Sequence, residues 1–122
     1  MVTPPGAKPS QHPSALAVQK AYEFSLWLLP KVEHYPRGYR FTVGDRSITT
    51  MLTIQEALLD AAYGVHRREA LELAQRKLNT LRVLLRLAKD LGLLGVEPYG
   101  FAAEKLDELG RMIGGWRKAV EK

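Results

Sequence analysis

The sequence predicts an all-α protein, an antiparallel up-down four-helix bundle. Three observations favour this fold class. Apolar residues recur at spacings of three and four in four separate segments, which is the period of an amphipathic helix. No segment alternates apolar and polar residues as a half-buried strand does. The connections are short, so consecutive helices should pack antiparallel. One alternative is a pair of helical hairpins that completes its core only on oligomerisation.

The composition is that of one globular domain. The chain has 122 residues, of which 46% are hydrophobic and 25% charged, enough to form a core without disulfides or metals. There is no cysteine, which excludes thiolate chemistry and is compatible with a reducing cytoplasm. Residues 1–13 are predicted to be a flexible, proline-rich arm and residues 14–122 the bundle domain. Neither a signal peptide nor a membrane span is indicated, so we expect a cytoplasmic protein.

The first helix is predicted over residues 14–34 and ends before Pro36. Nearly every face of it is apolar, except for one polar stripe at helical spacing: Lys20, Glu23, Trp27, Lys31 and His34. A tryptophan on a polar stripe is typical of an aromatic anchor at an interface. Trp27 is therefore a candidate contact for an oligomer or a partner protein.

The second helix is predicted from Thr42 to a stop at Gly64, because Thr42 and Asp45 stand in capping-box spacing. Its core side is predicted to comprise Ile48, Met51, Leu52, Leu58, Leu59 and Ala62. Its solvent side is predicted to comprise Thr49, Thr50, Thr53, Glu56 and Asp60.

The third and fourth helices are predicted over residues 67–91 and 99–120, and Gly92 ends the third. Both show a heptad seam that is typical of bundle helices. The third has Leu71, Ala74, Leu78, Leu81, Leu85 and Ala88, and the fourth has Leu106, Leu109, Ile113, Trp116 and Val120.

Three further residues are candidates for an oligomer or partner interface. Lys77 lies toward the apolar side of the third helix, where it either extends its amine to solvent or contacts a neighbouring subunit. Gly110 and Gly114 flank the fourth seam. Their lack of a side chain permits another backbone to approach, either within the bundle or across a subunit interface.

The formal net charge is +5. It either serves solubility or indicates an anionic partner such as nucleic acid. The excess lies in residues 35–48 and on the third helix, where one face is polar and mostly basic: Arg68, Gln75, Asn79, Arg82, Arg86 and Lys89. That face could follow a phosphate backbone, or it is a solvated face partly neutralised by ion pairs at helical spacing.

Segment 35–46, Y-P-R-G-Y-R-F-T-V-G-D-R, interleaves arginines with aromatic residues. This combination suits single-stranded nucleic acid, which is bound through charge and stacking. Alternatively the rings cap the end of the core, as we expect for Tyr35 and Phe41. The candidate nucleic-acid-binding residues are Arg37, Arg40, Arg46, Arg68, Arg82, Arg86 and Lys89.

The sequence has no recognisable catalytic or cofactor motif. His12, His34 and His66 are far apart, and none belongs to a metal-ligand pair. There is no glycine-rich phosphate loop before a helix and no nucleophile motif. We therefore expect a non-enzyme without metal or cofactor.

Four stretches carry a resemblance to a known family: F-S-L-W-L-L-P-K at 24–31, segment 35–46, L-R-V-L-L-R-L-A-K-D-L-G-L-L at 81–94, and L-G-R-M-I-G-G-W-R at 109–117. Over about residues 20–118 the chain resembles a bacterial four-helix-bundle family. That family contains the accessory variability determinant (Avd) of diversity-generating retroelements and the 23S ribosomal RNA intervening-sequence protein. The last two stretches favour the Avd branch.

The resemblance to Avd implies a role that the residues alone do not give. It implies a basic homo-oligomer, a pentameric barrel, that binds the reverse transcriptase of the retroelement together with RNA or DNA. Such a protein would support mutagenic copying of a template RNA, and the catalytic residues would belong to the polymerase. Two alternatives are an intervening-sequence type of protein and a helical protein–protein adaptor that binds no nucleic acid.

Overall fold

The computed structural model describes residues 13–121, and this part of the chain contains four long helices and no strand. They are α1 (Pro13–Glu33), α2 (Asp45–Tyr63), α3 (Arg67–Asp90) and α4 (Val96–Glu121). Of the predicted arm, residues 1–12 lie outside the described residues and Pro13 already begins α1. Helices that are adjacent in sequence pack together, and α1 closes the bundle against α4.

Contacts between the helices confirm the antiparallel order. The Gln55 side chain in the second half of α2 donates to the Val18 carbonyl early in α1, with a nitrogen–oxygen distance of 3.4 Å. The Trp27 ring near the end of α1 meets Phe101 near the start of α4. The α1 and α3 C-termini and the α2 and α4 N-termini therefore share one end of the bundle.

The heptad seam of α3 is confirmed in full. All six of its residues, from Leu71 to Ala88, are buried. The seam of α4 is buried from Leu106 to Trp116, and Val120 packs against its edge.

Gly92 ends α3 as predicted, with φ of 77°. The amide of Gly92 donates to the Lys89 carbonyl and that of Leu93 to the Ala88 carbonyl, at 3.0 and 2.8 Å. These two bonds form a Schellman motif, which requires the left-handed conformation that glycine adopts without strain. Helix α4 begins three residues before the predicted start, because Pro98 is tolerated in the first turn of a helix.

The predicted start of the second helix is wrong. The chain after Pro36 is already helical, through the turn Arg37–Tyr39 and the π-helix Arg40–Gly44. The Thr42 hydroxyl donates to the carbonyls of Gly38 and Tyr39, so it does not cap a helix.

The predicted core side of the second helix is partly wrong. Leu52 is 46% exposed, whereas Thr50, predicted to face solvent, is 6% exposed. The buried face combines the predicted Met51 and Leu58 with Ile54 and four small residues: Ser47, Thr50, Ala57 and Ala61. Ser47 is tolerated there because its hydroxyl donates to the Val43 carbonyl at 2.8 Å. Small side chains allow the neighbouring helices to approach α2 more closely than its leucines would.

At Gly44 the π-helix approaches α1 closely. A Cβ atom added at Gly44 would lie 2.8 Å from Cγ1 of Val32 and 3.5 Å from the Tyr35 ring. No such clash arises at Gly38, where an added Cβ meets no atom within 4 Å. The close approach at Gly44 holds segment 35–46 against the end of α1.

Gly44→Ala is expected to lower the free energy of unfolding by about 1–3 kcal/mol, because the extra methyl group overpacks a filled site. Urea unfolding followed by circular dichroism measures the change. Gly38→Ala is the matched control, and its stability should be unchanged or slightly higher. A Gly44→Ala protein as stable as the Gly38→Ala protein would contradict the close packing.

Candidate functional site

Segment 35–46 is anchored at both ends and presents its middle to solvent. Tyr35 is 3% exposed, which confirms that it caps the core. Burial raises the pKa of its phenol, so the side chain stays neutral at physiological pH. At the other end, Gly44 is buried and Val43 packs against the core.

We expected Phe41 to cap the core, and this expectation is wrong. Its ring is 60% exposed, and the ring of Tyr39 is 41% exposed. The π-helix explains this arrangement, because its wider turn directs Val43 and Gly44 inward while Phe41 and Thr42 face solvent. Single π-helical turns of this kind are frequent at functional sites.

The three arginines of this segment have no ionic partner among residues 13–121. Arg37 and Arg46 are exposed and Arg40 is half-buried. Among residues 13–121, no carboxylate oxygen lies within 4.0 Å of any of the three guanidinium groups. The guanidinium carbon of Arg40 lies 5.2 Å from the centre of the Phe41 ring, the geometry of a cation–π contact. Arg37, Arg40 and Arg46 therefore keep their charge available to an external anion.

The candidates on α3 differ from these arginines, because each lies within 4.0 Å of a carboxylate. Arg68 contacts Glu72 at 3.8 Å, and Arg86 contacts Asp90 at 3.8 Å. Lys89 also contacts Asp90, at 3.5 Å, and its amine lies 4.9 Å from the centre of the Tyr99 ring. Exposed pairs of this kind are weak, but they reduce the charge that α3 presents.

Arg82 connects α3 to α4. One of its guanidinium nitrogens donates to the Leu106 carbonyl at 3.3 Å and lies 3.2 Å from the Asp107 carboxylate. Another donates to the side chain of Asn79 at 3.1 Å. Three contacts of this kind fix the side chain against the bundle, so its first role is structural.

The bundle topology separates the seven candidate residues. Arg37, Arg40 and Arg46 lie at the end of the bundle where α3 finishes with Arg86 and Lys89. Arg68 begins α3 at the opposite end, about 27 Å away along the helix axis from Arg86. Only the candidates at the first end can act on one short stretch of nucleic acid.

The glycines predicted at an interface have different surroundings. A Cβ added at Gly110 would lie 2.9 Å from a guanidinium nitrogen of Arg82 and 3.2 Å from Leu78. Gly110 thus allows α3 to approach α4 within the bundle. At Gly114 an added Cβ meets no atom within 4 Å among the described residues. Lys77 is half-buried, and it has no ion pair with another described residue.

The Trp27 side chain of α1 is half-buried where α1 packs against α4. Its ring centre lies 5.4 Å from that of Phe24 and 5.1 Å from that of Phe101. The polar stripe of α1 therefore faces α4. The two helices form a groove of about 250 Å³ at this position.

Within residues 13–121, histidine and carboxylate side chains form no group of three that could hold a metal ion. The same range contains no helix with the length and hydropathy required to span a membrane.

A protein-family model described as bAvd-like matches residues 15–120. The chain belongs to the bAvd-like family. This result confirms the resemblance to Avd and indicates an accessory role in a diversity-generating retroelement. The Avd-like family is an accessory family and is not known as a catalytic one. Neither a curated protein nor a solved structure matches the chain.

In this bAvd-like protein the sequence patterns did not identify Phe101 and Lys105 as site residues. Both residues line the groove beside Trp27. They are four residues apart, so they share one face of α4. That spacing was visible in the sequence. Only the packing of α4 on α1 shows that this face meets Trp27.

Arg82→Glu in the bAvd-like protein is expected to lower the free energy of unfolding by about 1–2 kcal/mol. The new carboxylate would face Asp107 and the Leu106 carbonyl with no donor between them. Urea unfolding measures the effect. Arg86→Glu is the control, because the ion pair of Arg86 with Asp90 is exposed and lies within α3, so the stability of this variant should change by less than about 0.5 kcal/mol. Equal effects of the two substitutions would show that the contacts of Arg82 with α4 contribute nothing to the free energy of unfolding.

Proposed function

We propose that this chain is a non-catalytic accessory protein of a diversity-generating retroelement. It binds the reverse transcriptase, and it binds template RNA or the cDNA copied from it. Membership of the bAvd-like family supports the accessory role. The observation that carries the nucleic-acid part is a set of three arginines at one end of the bundle, which have no ion pair with any described residue and lie beside exposed aromatic rings.

The geometry of segment 35–46 matches the needs of single-stranded nucleic acid. Such ligands are bound by positive charge along the backbone and by rings on which bases stack. Arg37, Arg40 and Arg46 supply the charge, and Phe41 and Tyr39 supply accessible rings. Arg86 and Lys89 extend the positive surface at the same end, although their charge is shared with Asp90.

The accessory protein leaves the chemistry of polymerisation to its partner. Its contribution is to keep the template or the new strand near the polymerase, which raises the local concentration of the two. Charge of this kind also accelerates the encounter with nucleic acid. We propose that a complex of the chain, the reverse transcriptase and RNA is the working unit.

Replacing Arg37, Arg40 and Arg46 together by glutamine should weaken binding to a labelled single-stranded RNA. Complete loss of three phosphate contacts reduces the affinity roughly 100-fold at 0.1 M salt and makes the plot of log affinity against log salt shallower by about 2. Fluorescence anisotropy across a salt series measures both quantities.

The matched control replaces Arg67, Arg76 and Arg111 by glutamine. These arginines are also exposed and lack ion pairs with other described residues, so the net charge changes equally. Equal losses in both variants would indicate attraction to net charge alone. If the unaltered protein binds no RNA while it still binds the polymerase, the adaptor function without nucleic acid replaces this proposal.

The proposal includes assembly into a homo-oligomer, with a pentamer as the expected form. An apolar strip on α3 supports it, because Val83, Leu87 and Leu91 follow at four-residue spacing and are all exposed. Apolar surface of this kind favours burial against another subunit.

Size exclusion with light scattering is expected to give a discrete oligomer whose mass falls on Leu87→Glu. The charge would be buried at the subunit interface, at a cost that exposed positions do not incur. Val65→Glu is the control, because Val65 is 89% exposed in the loop between α2 and α3. A monomeric mass for the unaltered protein would refute the assembly.

A further inference from the structure

A groove between α1 and α4 combines three aromatic rings with charged side chains and contains no aliphatic residue. Its lining consists of Phe24, Trp27 and Phe101 together with four charged residues: Lys20, Glu23, Lys105 and Glu108. Such a lining differs from that of a groove for a partner helix, which is mostly aliphatic. Its volume of about 250 Å³ is below the usual range of small-molecule sites and suits one planar ring system.

The charges of the groove are arranged asymmetrically. At one end the single amine of Lys20 lies 3.8 Å from Glu23 and 3.7 Å from Glu108, so it is shared by two carboxylates and this end keeps a net negative charge. Lys31, one turn after Trp27 on α1, and Lys105, one turn after Phe101 on α4, have no carboxylate within 4.0 Å among residues 13–121. Because α1 and α4 are antiparallel, these two free positive charges flank the Trp27 and Phe101 rings from opposite sides.

Lys31 and Lys105 also restrict the kind of ligand that can bind to the aromatic rings of the groove. The amine of Lys31 lies 5.5 Å from the centre of the Trp27 ring, and that of Lys105 lies 5.5 Å from the centre of the Phe101 ring. Both rings thus already have a cation beside them, which disfavours a cationic ligand. A planar ring flanked by phosphates fits both features, since it can stack on the aromatic pair while the amines contact the phosphates.

The Trp27 end of the groove and the arginines of segment 35–46 lie toward the same end of the bundle. Trp27 and Lys31 lie one turn apart on α1, and α1 ends at Glu33, about 9 Å beyond Trp27 along its axis. Arg37 begins the next helical turn at the same end of the bundle. A strand bound in the groove therefore reaches Arg37 by passing Lys31 and the C-terminal end of α1.

We propose that this groove holds one unpaired base of the single-stranded nucleic acid, stacked on Trp27 and Phe101, with the phosphates on the two sides of that base contacting Lys31 and Lys105. The inference rests on the proposed nucleic-acid binding and adds a base-binding site to it. Segment 35–46 offers charge and exposed rings on an open surface, whereas the groove encloses a single base.

The test compares two labelled strands of twelve units by fluorescence anisotropy, an oligouridylate and an abasic backbone of the same length and charge. Trp27→Leu should reduce affinity for the oligouridylate roughly 5- to 140-fold, which is the range for loss of one stacked base. Affinity for the abasic strand and the salt dependence should not change, because the phosphate contacts remain. Intrinsic fluorescence of the unaltered protein should be quenched on binding, and Trp27→Leu should abolish that quenching, because Trp116 is 2% exposed.

Tyr22→Leu is the matched control, since it removes a partly exposed ring of α1 that does not line the groove. Phe101→Leu is a second variant of the groove and keeps the test valid if Trp27→Leu folds poorly. It should reduce the affinity for oligouridylate in the same direction, whereas Tyr22→Leu should have no effect.

Each outcome separates this proposal from the function on which it rests. Salt-sensitive binding in which both groove variants leave oligouridylate affinity unchanged overturns the base site and retains the function. If a groove variant instead changes oligomer mass or polymerase capture and leaves oligouridylate affinity intact, the groove is a protein contact and the base site is overturned. Absence of binding to either strand overturns both.

Discussion

The heptad seam of α3 is the constraint on which the rest of the structure depends. Its six residues, from Leu71 to Ala88, are at most 1% exposed, so the rotation of α3 about its own axis is fixed. Burying a side chain such as Leu78 or Leu81 is worth about 1.5–3 kcal/mol. Any rotation that brought the polar face of α3 inward would lose this contribution and bury unpaired charges.

Fixing the rotation of α3 also fixes where its charges lie. The polar face of α3 turns toward α4 and solvent, where Arg82 reaches Asp107 of α4 and Glu72 pairs with Arg117 of α4. Arg82 is thus used to hold the bundle together. Segment 35–46 differs from the candidate nucleic-acid-binding residues of α3, because none of its three arginines has an ion pair among residues 13–121. Positive charge and availability for binding are therefore separate properties in this protein.

The π-helix between α1 and α2 links packing to the proposed function. The close approach of Gly44 to Val32 anchors the segment, and the wide π turn leaves Phe41 outside. Because the same turn presents Arg40 beside Phe41, a single backbone feature supplies both charge and a stacking surface. The Trp27 and Phe101 rings of the groove between α1 and α4 lie toward the same end of the bundle as this π-helix.

The sequence by itself determined the helical class, the number of helices and the seams of α3 and α4, because these depend on local periodicity and on large side chains. The family followed from the resemblance of four stretches of the chain, and the family model over residues 15–120 confirms it. The sequence also located the basic segment 35–46. The core face of α2 depended on the tertiary structure, since Thr50 and Ser47 are buried by the close approach of neighbouring helices and not by their own hydrophobicity. The same holds for the candidate site. Periodicity places Arg82 on a polar face and Trp27 on a polar stripe, but only the packing of α4 decides that Arg82 is held by Leu106 and Asp107. The ring partner of Trp27, Phe101, is likewise supplied from a distant part of the chain, and contacts between residues so far apart in sequence have no local pattern that reveals them.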